Sequence, residues 1–136
     1  MNEKLYSNYL CLVKDVMLEE DAPAVINRDN WEEMLKKPLD QLSETMDSKY
    51  TEALRLRYGL DTGEFISFAK VGAEIGRSPS TARRTVGDAM RRLRHPSRNK
   101  YIRMLFNGAS ADELREQAVE VRKMYERHVN EREQGV

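Results

Sequence analysis

Between Phe68 and Arg94 the chain carries two helical patterns joined by a tight corner, and this stretch restricts the fold more than any other. Phe68 to Ile75 is short, with Val71 and Ile75 on its inner side. Gly76-Arg77 turns the chain. Ser78 has the side chain of an N-cap, and Pro79 suits the first helical position, where its missing N–H leaves no bond unmade. The longer pattern then runs to Arg94, and His95-Pro96 terminates it. On this second helix Ala82, Thr85, Ala89, Met90 and Leu93 share one face, read as the core side. Ser80, Thr81, Arg83, Arg84, Gly87, Arg91 and Arg92 fall elsewhere, toward solvent. A short helix, a glycine corner and a longer capped helix together form a helix-turn-helix.

Helical periodicity extends through the rest of the chain. Leu5, Tyr9, Leu12 and Val16 recur at steps of four and three, predicting a first helix over about 2–20. Asn30-Trp31-Glu32-Glu33 reads as a capping box, and Pro38 either ends that helix or starts the next. Asp47 or Ser48 caps a helix that runs to Tyr58 and stops at Gly59. Asp61-Thr62-Gly63 is a turn. Ser110-Ala111-Asp112-Glu113 is a second capping box, opening a last helix to about Glu133 with Leu114, Ala118, Val121, Tyr125 and His128 along one side. No strand-like alternation of useful length occurs. The expected class is all-α: a helix-turn-helix domain with N- and C-terminal helical extensions, divided as an acidic extension 1–46, the domain 47–105 and a C-terminal amphipathic helix 106–136.

The formal net charge is zero, but the average conceals a strong asymmetry. Residues 1–47 hold five Lys/Arg against eleven Asp/Glu, a balance of −6, whereas residues 67–103 hold ten against two, a balance of +8. One basic stretch flanked by acidic arms is the footprint of an anion-binding surface. Arginines near the start of the second helix of such a motif reach base edges in a major groove and donate two bonds to guanine. The expected base-reading residues are Ser80, Thr81, Arg83 and Arg84. Lys70, Arg77, Ser78, Arg91, Arg92, Arg94 and Arg98 are expected to contact phosphates. A helical bundle with a solvated basic face would show the same spacing without using nucleic acid.

Other chemistries find little support. There is no glycine-rich phosphate loop, nucleophile elbow or pair of helical histidines, so an enzyme is not expected. His95 belongs to the helix stop and His128 to an apolar stripe, with no metal-ligand spacing around either, so neither a metal site nor a cofactor is expected. Cys11, the single cysteine, lies in an apolar helical pattern and is read as a buried structural thiol. No stretch approaches a membrane span and no signal peptide is visible, so the expected location is the cytoplasm.

Three groups of residues carry a resemblance. Ala53-Leu54-Arg55-Leu56-Arg57-Tyr58-Gly59-Leu60-Asp61, then Val71-Gly72, then Leu93-Arg94-His95-Pro96-Ser97-Arg98 resemble region four of the sigma-70 family, the C-terminal domain that binds the upstream promoter hexamer. The resemblance covers about 47–105, and its two end motifs have the right separation without gaps. It implies that Arg57 and its neighbours contact the phosphate backbone of double-stranded promoter DNA. It also implies docking on the β-subunit flap of bacterial RNA polymerase. The departures are informative. Where the family has an arginine-glutamate-arginine run, this chain has Pro79, Ser80 and Thr81. The next arginine is kept as Arg83, and the family's glutamine is replaced by Arg84. Gly87, where the family usually has alanine, costs the helix about 1 kcal/mol. The basic, aromatic-rich helix that melts promoters is not found in the acidic residues 1–47.

The resulting expectation is a sigma-like transcription factor without its own melting domain, partnered by a separate sigma-like subunit or by a second copy of itself. Two alternatives stay open: a stand-alone helix-turn-helix regulator of phage or mobile-element type, and a protein that holds polymerase or a sigma factor without using DNA.

Overall fold

The computed structural model describes residues 2–135, and among them every regular element is helical. Helix α1 spans Glu3–Met17, α2 Lys37–Glu44, α3 Ser48–Tyr58, α4 Phe68–Ile75, α5 Pro79–Arg94, α6 Pro96–Phe106 and α7 Ala111–Gln134. A π-helical turn, Glu32–Lys36, runs straight into α2. It sits just ahead of Pro38, which cannot donate to the carbonyl four residues back, and the Lys37 N–H bonds five residues back to Glu32 instead.

The helix ends follow side-chain chemistry. Asn2 accepts from the Leu5 N–H and opens α1. α1 ends earlier than its apolar pattern predicts, at Met17, because Leu18 takes up a left-handed conformation (φ 56°) that closes the last turn. Gly59 ends α3 in the same conformation (φ 60°). Ser110 and Glu113 form both bonds of a capping box at the start of α7. The capping box expected at Asn30 does not form. Asn27 takes the role, its Oδ1 accepting from the N–H groups of Asp29 and Asn30, while the Asn30 side chain bonds to Asn27 and Val25.

Pro96 stops α5 but also starts α6, a helix that the reading of His95-Pro96 as a terminator missed. His95 separates the two helices and caps the second, its Nδ1 accepting from the Ser97 N–H. α6 then places Tyr101, Ile102 and Leu105 in the interior.

One hydrophobic cluster joins all the helices. Tyr9, Leu12 and Val13 of α1, Leu35 and Leu39 around α2, Leu54 of α3, Leu93 of α5, Ile102 of α6 and Leu114 of α7 are almost completely buried. The extensions therefore pack on the central helices and on each other: α1 against α3 and α5, and α7 against α6 and against α2 of the N-terminal extension. Burying one such leucine stabilises by roughly 1.5–3 kcal/mol, so these faces hold the assembly together. On α5 the core position is Val86, not the expected Thr85. Thr85 is half-buried and donates back to the Thr81 carbonyl at 2.9 Å. Cys11 is half-buried at the margin of the cluster, rather than enclosed.

Polar ties fix the N-terminal extension to α3. Arg55 forks onto Asp61 at 2.9 and 2.7 Å and reaches Asp40 at 2.8 Å, and Asp40 also accepts from the Tyr9 hydroxyl. Tyr58 donates to Asp15 at 2.7 Å. Burial first, and these carboxylates second, push the hydroxyls of Tyr9 and Tyr58 well above the ordinary tyrosine range.

Candidate nucleic-acid interface

The corner between α4 and α5 is built from two glycines and a serine. Gly76 takes a left-handed conformation (φ 69°), and the Arg77 N–H bonds back to the Gly72 carbonyl at 2.8 Å. Gly72 is required by close approach: a Cβ there would lie 2.6 Å from the Arg77 carbonyl oxygen. Ser78 caps α5, its Oγ accepting from the Thr81 N–H at 3.1 Å and donating to Thr81 Oγ1 at 3.0 Å. α4 and α5 pack closely on each other, and α5 also lies against α3.

Ala82, Val86, Ala89 and Leu93 point α5 into the core. Ser80, Arg84, Gly87 and Arg91, at steps of four, three and four, line the opposite face. Ser80, Arg84 and Arg91 are exposed there. Thr81, half-buried, has its hydroxyl engaged by Ser78, and the exposed Ser80 hydroxyl lies 3.3 Å from Ser78 Oγ.

The arginines divide into three groups. Lys70 and Arg84 are exposed, and among the described residues neither makes a side-chain hydrogen bond or ion pair. Arg77 reaches only the Gly76 carbonyl, at 3.3 Å, and Arg91 pairs with Asp88 on its own helix. These bonds are local and solvent-exposed, so a phosphate can replace them at small cost.

A second group lies on aromatic rings. Arg57 stacks on Phe68 with its guanidinium carbon 4.0 Å from the ring centre and donates to the Ile66 carbonyl at 2.8 Å. Arg83 approaches the same ring at 5.5 Å. Arg92 lies 3.9 Å from the centre of the Tyr50 ring, which Lys49 also approaches at 4.9 Å. Stacking holds a guanidinium in place while leaving N–H groups to donate. Phe68 and Tyr50 thus hold arginines in place, a contact that no spacing in the sequence discloses, because each ring meets an arginine from a different helix. Lys49 was likewise absent from the expected phosphate contacts.

The third group is tied to the N-terminal extension. Arg94 is half-buried and donates to the Val16 carbonyl at 2.7 Å and the Asp15 carbonyl at 3.2 Å, satisfying the last turn of α1. Arg98, also half-buried, donates to Thr45 Oγ1 at 2.8 Å and to the Thr45 carbonyl at 3.1 Å, closing the end of α2. Burial and the neighbouring Arg92 push the Arg98 pKa down. Both arginines thus already donate to the N-terminal extension, Arg94 to two carbonyls and Arg98 to the hydroxyl and carbonyl of Thr45, and each keeps further N–H groups.

Among the described residues no group of His, Cys, Asp and Glu is arranged to hold a metal ion. No helix among them is long and apolar enough to cross a membrane. A shallow groove of about 560 Å³ runs between the α2 region and α7, lined by Glu32, Glu33, Lys36, Asp40, Gln41 and Tyr125. Within it Lys36 pairs with Asp40 at 2.9 Å.

No family profile matches the chain. It is similar to the RNA polymerase sigma factor SigA of Listeria monocytogenes serovar 1/2a and to that of Listeria innocua serovar 6a, at 33% identity over 89 residues in each case. The aligned region is 65% of this chain and 24% of each relative, so the chain spans about a quarter of the curated relatives it matches. The alignment is longer than the stretch 47–105, so the similarity extends into at least one of the extensions. What the sequence and fold establish together is an all-helical chain with a helix-turn-helix corner and distant sequence similarity to sigma factors.

Proposed function

We propose that this chain is a sigma-like transcription factor. It binds double-stranded promoter DNA through α4 and α5, docks on RNA polymerase at the β flap, and has no promoter-melting domain within these residues. The observation that carries the reading is the outward face of α5, where Ser80, Arg84 and Arg91 stand exposed opposite a fully buried face. That face lies in a chain with 33% identity to SigA over 89 residues.

In this reading residues 47–105 form the DNA-binding unit, and 1–46 and 106–136 buttress it and carry protein contacts. Arg83 and Arg84 read base edges, assisted by Ser80. Lys70, Arg77, Arg91 and Arg92, with Arg57 and Lys49 behind them, neutralise phosphates and set the register of the duplex. Ser78 and Thr81 act mainly through the cap, holding the first turn of α5 in place.

The short side chains of Pro79, Ser80 and Thr81 leave long-range reading to two arginines. This favours a target sequence rich in guanine contacts at two adjacent positions, and it keeps a stand-alone regulator as the second reading.

Two assays test the proposal. In fluorescence anisotropy the chain binds duplex DNA with an affinity that falls steeply with salt. Arg84→Ala and Arg83→Ala relax its sequence preference, whereas Arg91→Ala weakens all sequences alike. In a pull-down, immobilised core polymerase retains the chain. Duplex binding without retention assigns the chain to the stand-alone class, and retention without duplex binding removes DNA from the account.

A further inference from the structure

Gly87 has no reason to be glycine within the fold. It sits in the interior of α5, away from both ends, and its backbone is not in the left-handed region that favours glycine. A Cβ built there would meet only the tip of Arg91, at 3.9 Å, in ordinary contact. This sets it apart from Gly72, whose missing side chain makes room for the Arg77 carbonyl. A helix-interior glycine lowers helix stability relative to alanine, so the position carries a cost that no internal contact repays.

Its place on the helix points outside the molecule. Gly87 lies on the face opposite the core, one turn from Arg84 and one turn from Arg91. Whatever approaches this face meets two long cationic side chains and, between them, a half-buried stretch of backbone with no side chain of its own, beside the tip of Arg91. A polyanion fits that arrangement, with its charges taken by the flanking arginines and its surface resting on the helix backbone. A packed protein helix fits poorly, since it would have to bury both arginines.

We infer that Gly87 is the point of closest approach between α5 and the DNA duplex, where the absent side chain lets the helix seat more deeply in the major groove. The inference rests on the proposed DNA-binding reading and adds to it a steric determinant of affinity. Gly87 touches the duplex through its backbone, while Arg84 and Arg91 supply the charge on either side.

The test compares the wild type with Gly87→Ala and Gly87→Leu in thermal unfolding and in anisotropy titrations against one labelled 30-base-pair duplex. Both variants melt at or above the wild-type midpoint, by roughly 3–5 °C for alanine. Both bind the duplex more weakly, alanine by several-fold and leucine by at least ten-fold more, with the slope against salt unchanged because no cation is lost. Equal or tighter binding by the more stable variants overturns the inference while leaving DNA binding intact. A wild type that does not bind the duplex at all removes the reading on which it rests. Sedimentation of the same proteins supplies the remaining outcome: if Gly87→Leu alters self-association but not duplex binding, the face belongs to a second copy of the chain and the inference fails.

Discussion

Arg94 and Arg84 lie on the same helix with the same charge, yet they should fail in opposite ways when replaced by methionine, which keeps an aliphatic stem. The Arg94 guanidinium donates to two carbonyls of the last turn of α1, at 2.7 and 3.2 Å, from a half-buried position. A hydrogen bond from a charged donor contributes about 1.5–3 kcal/mol, and water at this partly open site recovers some of that. The two bonds together should therefore be worth about 2 kcal/mol. For a chain of this size that corresponds to a fall of roughly 6–10 °C in midpoint, read by circular dichroism. Arg84 is exposed and among the described residues makes no hydrogen bond, ion pair or ring contact, so Arg84→Met should leave stability within about 0.5 kcal/mol. In duplex binding the order reverses. If Lys70, Arg77, Arg91 and Arg92 all neutralise phosphates, the logarithmic salt slope is about −3.6, and each contact removed reduces it by about 0.9. Arg91→Met should show that reduction, Arg84→Met a loss of affinity or of base preference, and Arg94→Met neither at a temperature where it is folded. An Arg94→Met protein that melts like the wild type but loses salt-dependent binding would refute the division of the arginines.

Three further outcomes follow from the same geometry. Gly72→Ala should destabilise by about 1–3 kcal/mol in urea unfolding, because the new methyl meets the Arg77 carbonyl and the α4–α5 corner must open. Leu18→Gly should stabilise by roughly 1 kcal/mol, since Leu18 is 79% exposed and held at φ 56°, a conformation glycine adopts without strain. Buried Tyr9, Tyr58 and Tyr101 all have hydroxyl pKa values raised by burial. The folded chain therefore holds protons that the unfolded chain releases, and stability is full below about pH 10 and lost above it, by up to about 1.4 kcal/mol per pH unit for each tyrosine. Tyr101→Phe, which also removes a 2.5 Å bond to the Met34 carbonyl, should make that decline shallower in urea unfolding between about pH 9 and 11.

The helices were legible where local chemistry decides them. Phe68–Ile75, Pro79–Arg94 and the capping box at Ser110 are set by residues within four positions of each other, so their signals survive in one dimension. Pro96 was ambiguous for a physical reason: proline cannot continue a helix, but it is well suited to begin one, and α6 begins there. Asn27 displaced Asn30 as the cap because both asparagines present the same group three residues apart, and the tertiary turn chooses between them. The π-helical turn ahead of Pro38 has no periodic signature of its own.

At the candidate interface, charge and spacing located the basic helix but could not sort its arginines. Arg84 and Arg94 differ only in what the rest of the chain brings near them. The carbonyls that occupy Arg94 belong to residues 78 and 79 positions away. The rings of Phe68 and Tyr50, which fix Arg57 and Arg92, come from neighbouring helices in the same way. Burial and partner identity are properties of the packed molecule, and they divide a uniformly basic stretch into exposed arginines and arginines tied to neighbouring elements.

The most direct test of the central claim is a backbone amide chemical-shift map of the labelled chain titrated with duplex DNA. The account predicts the largest changes along Ser80, Arg84, Gly87 and Arg91, smaller ones at Lys70 and Arg77, and little movement in α1 or α7. Changes centred on α7 or on the groove beside α2, with α5 silent, would contradict it.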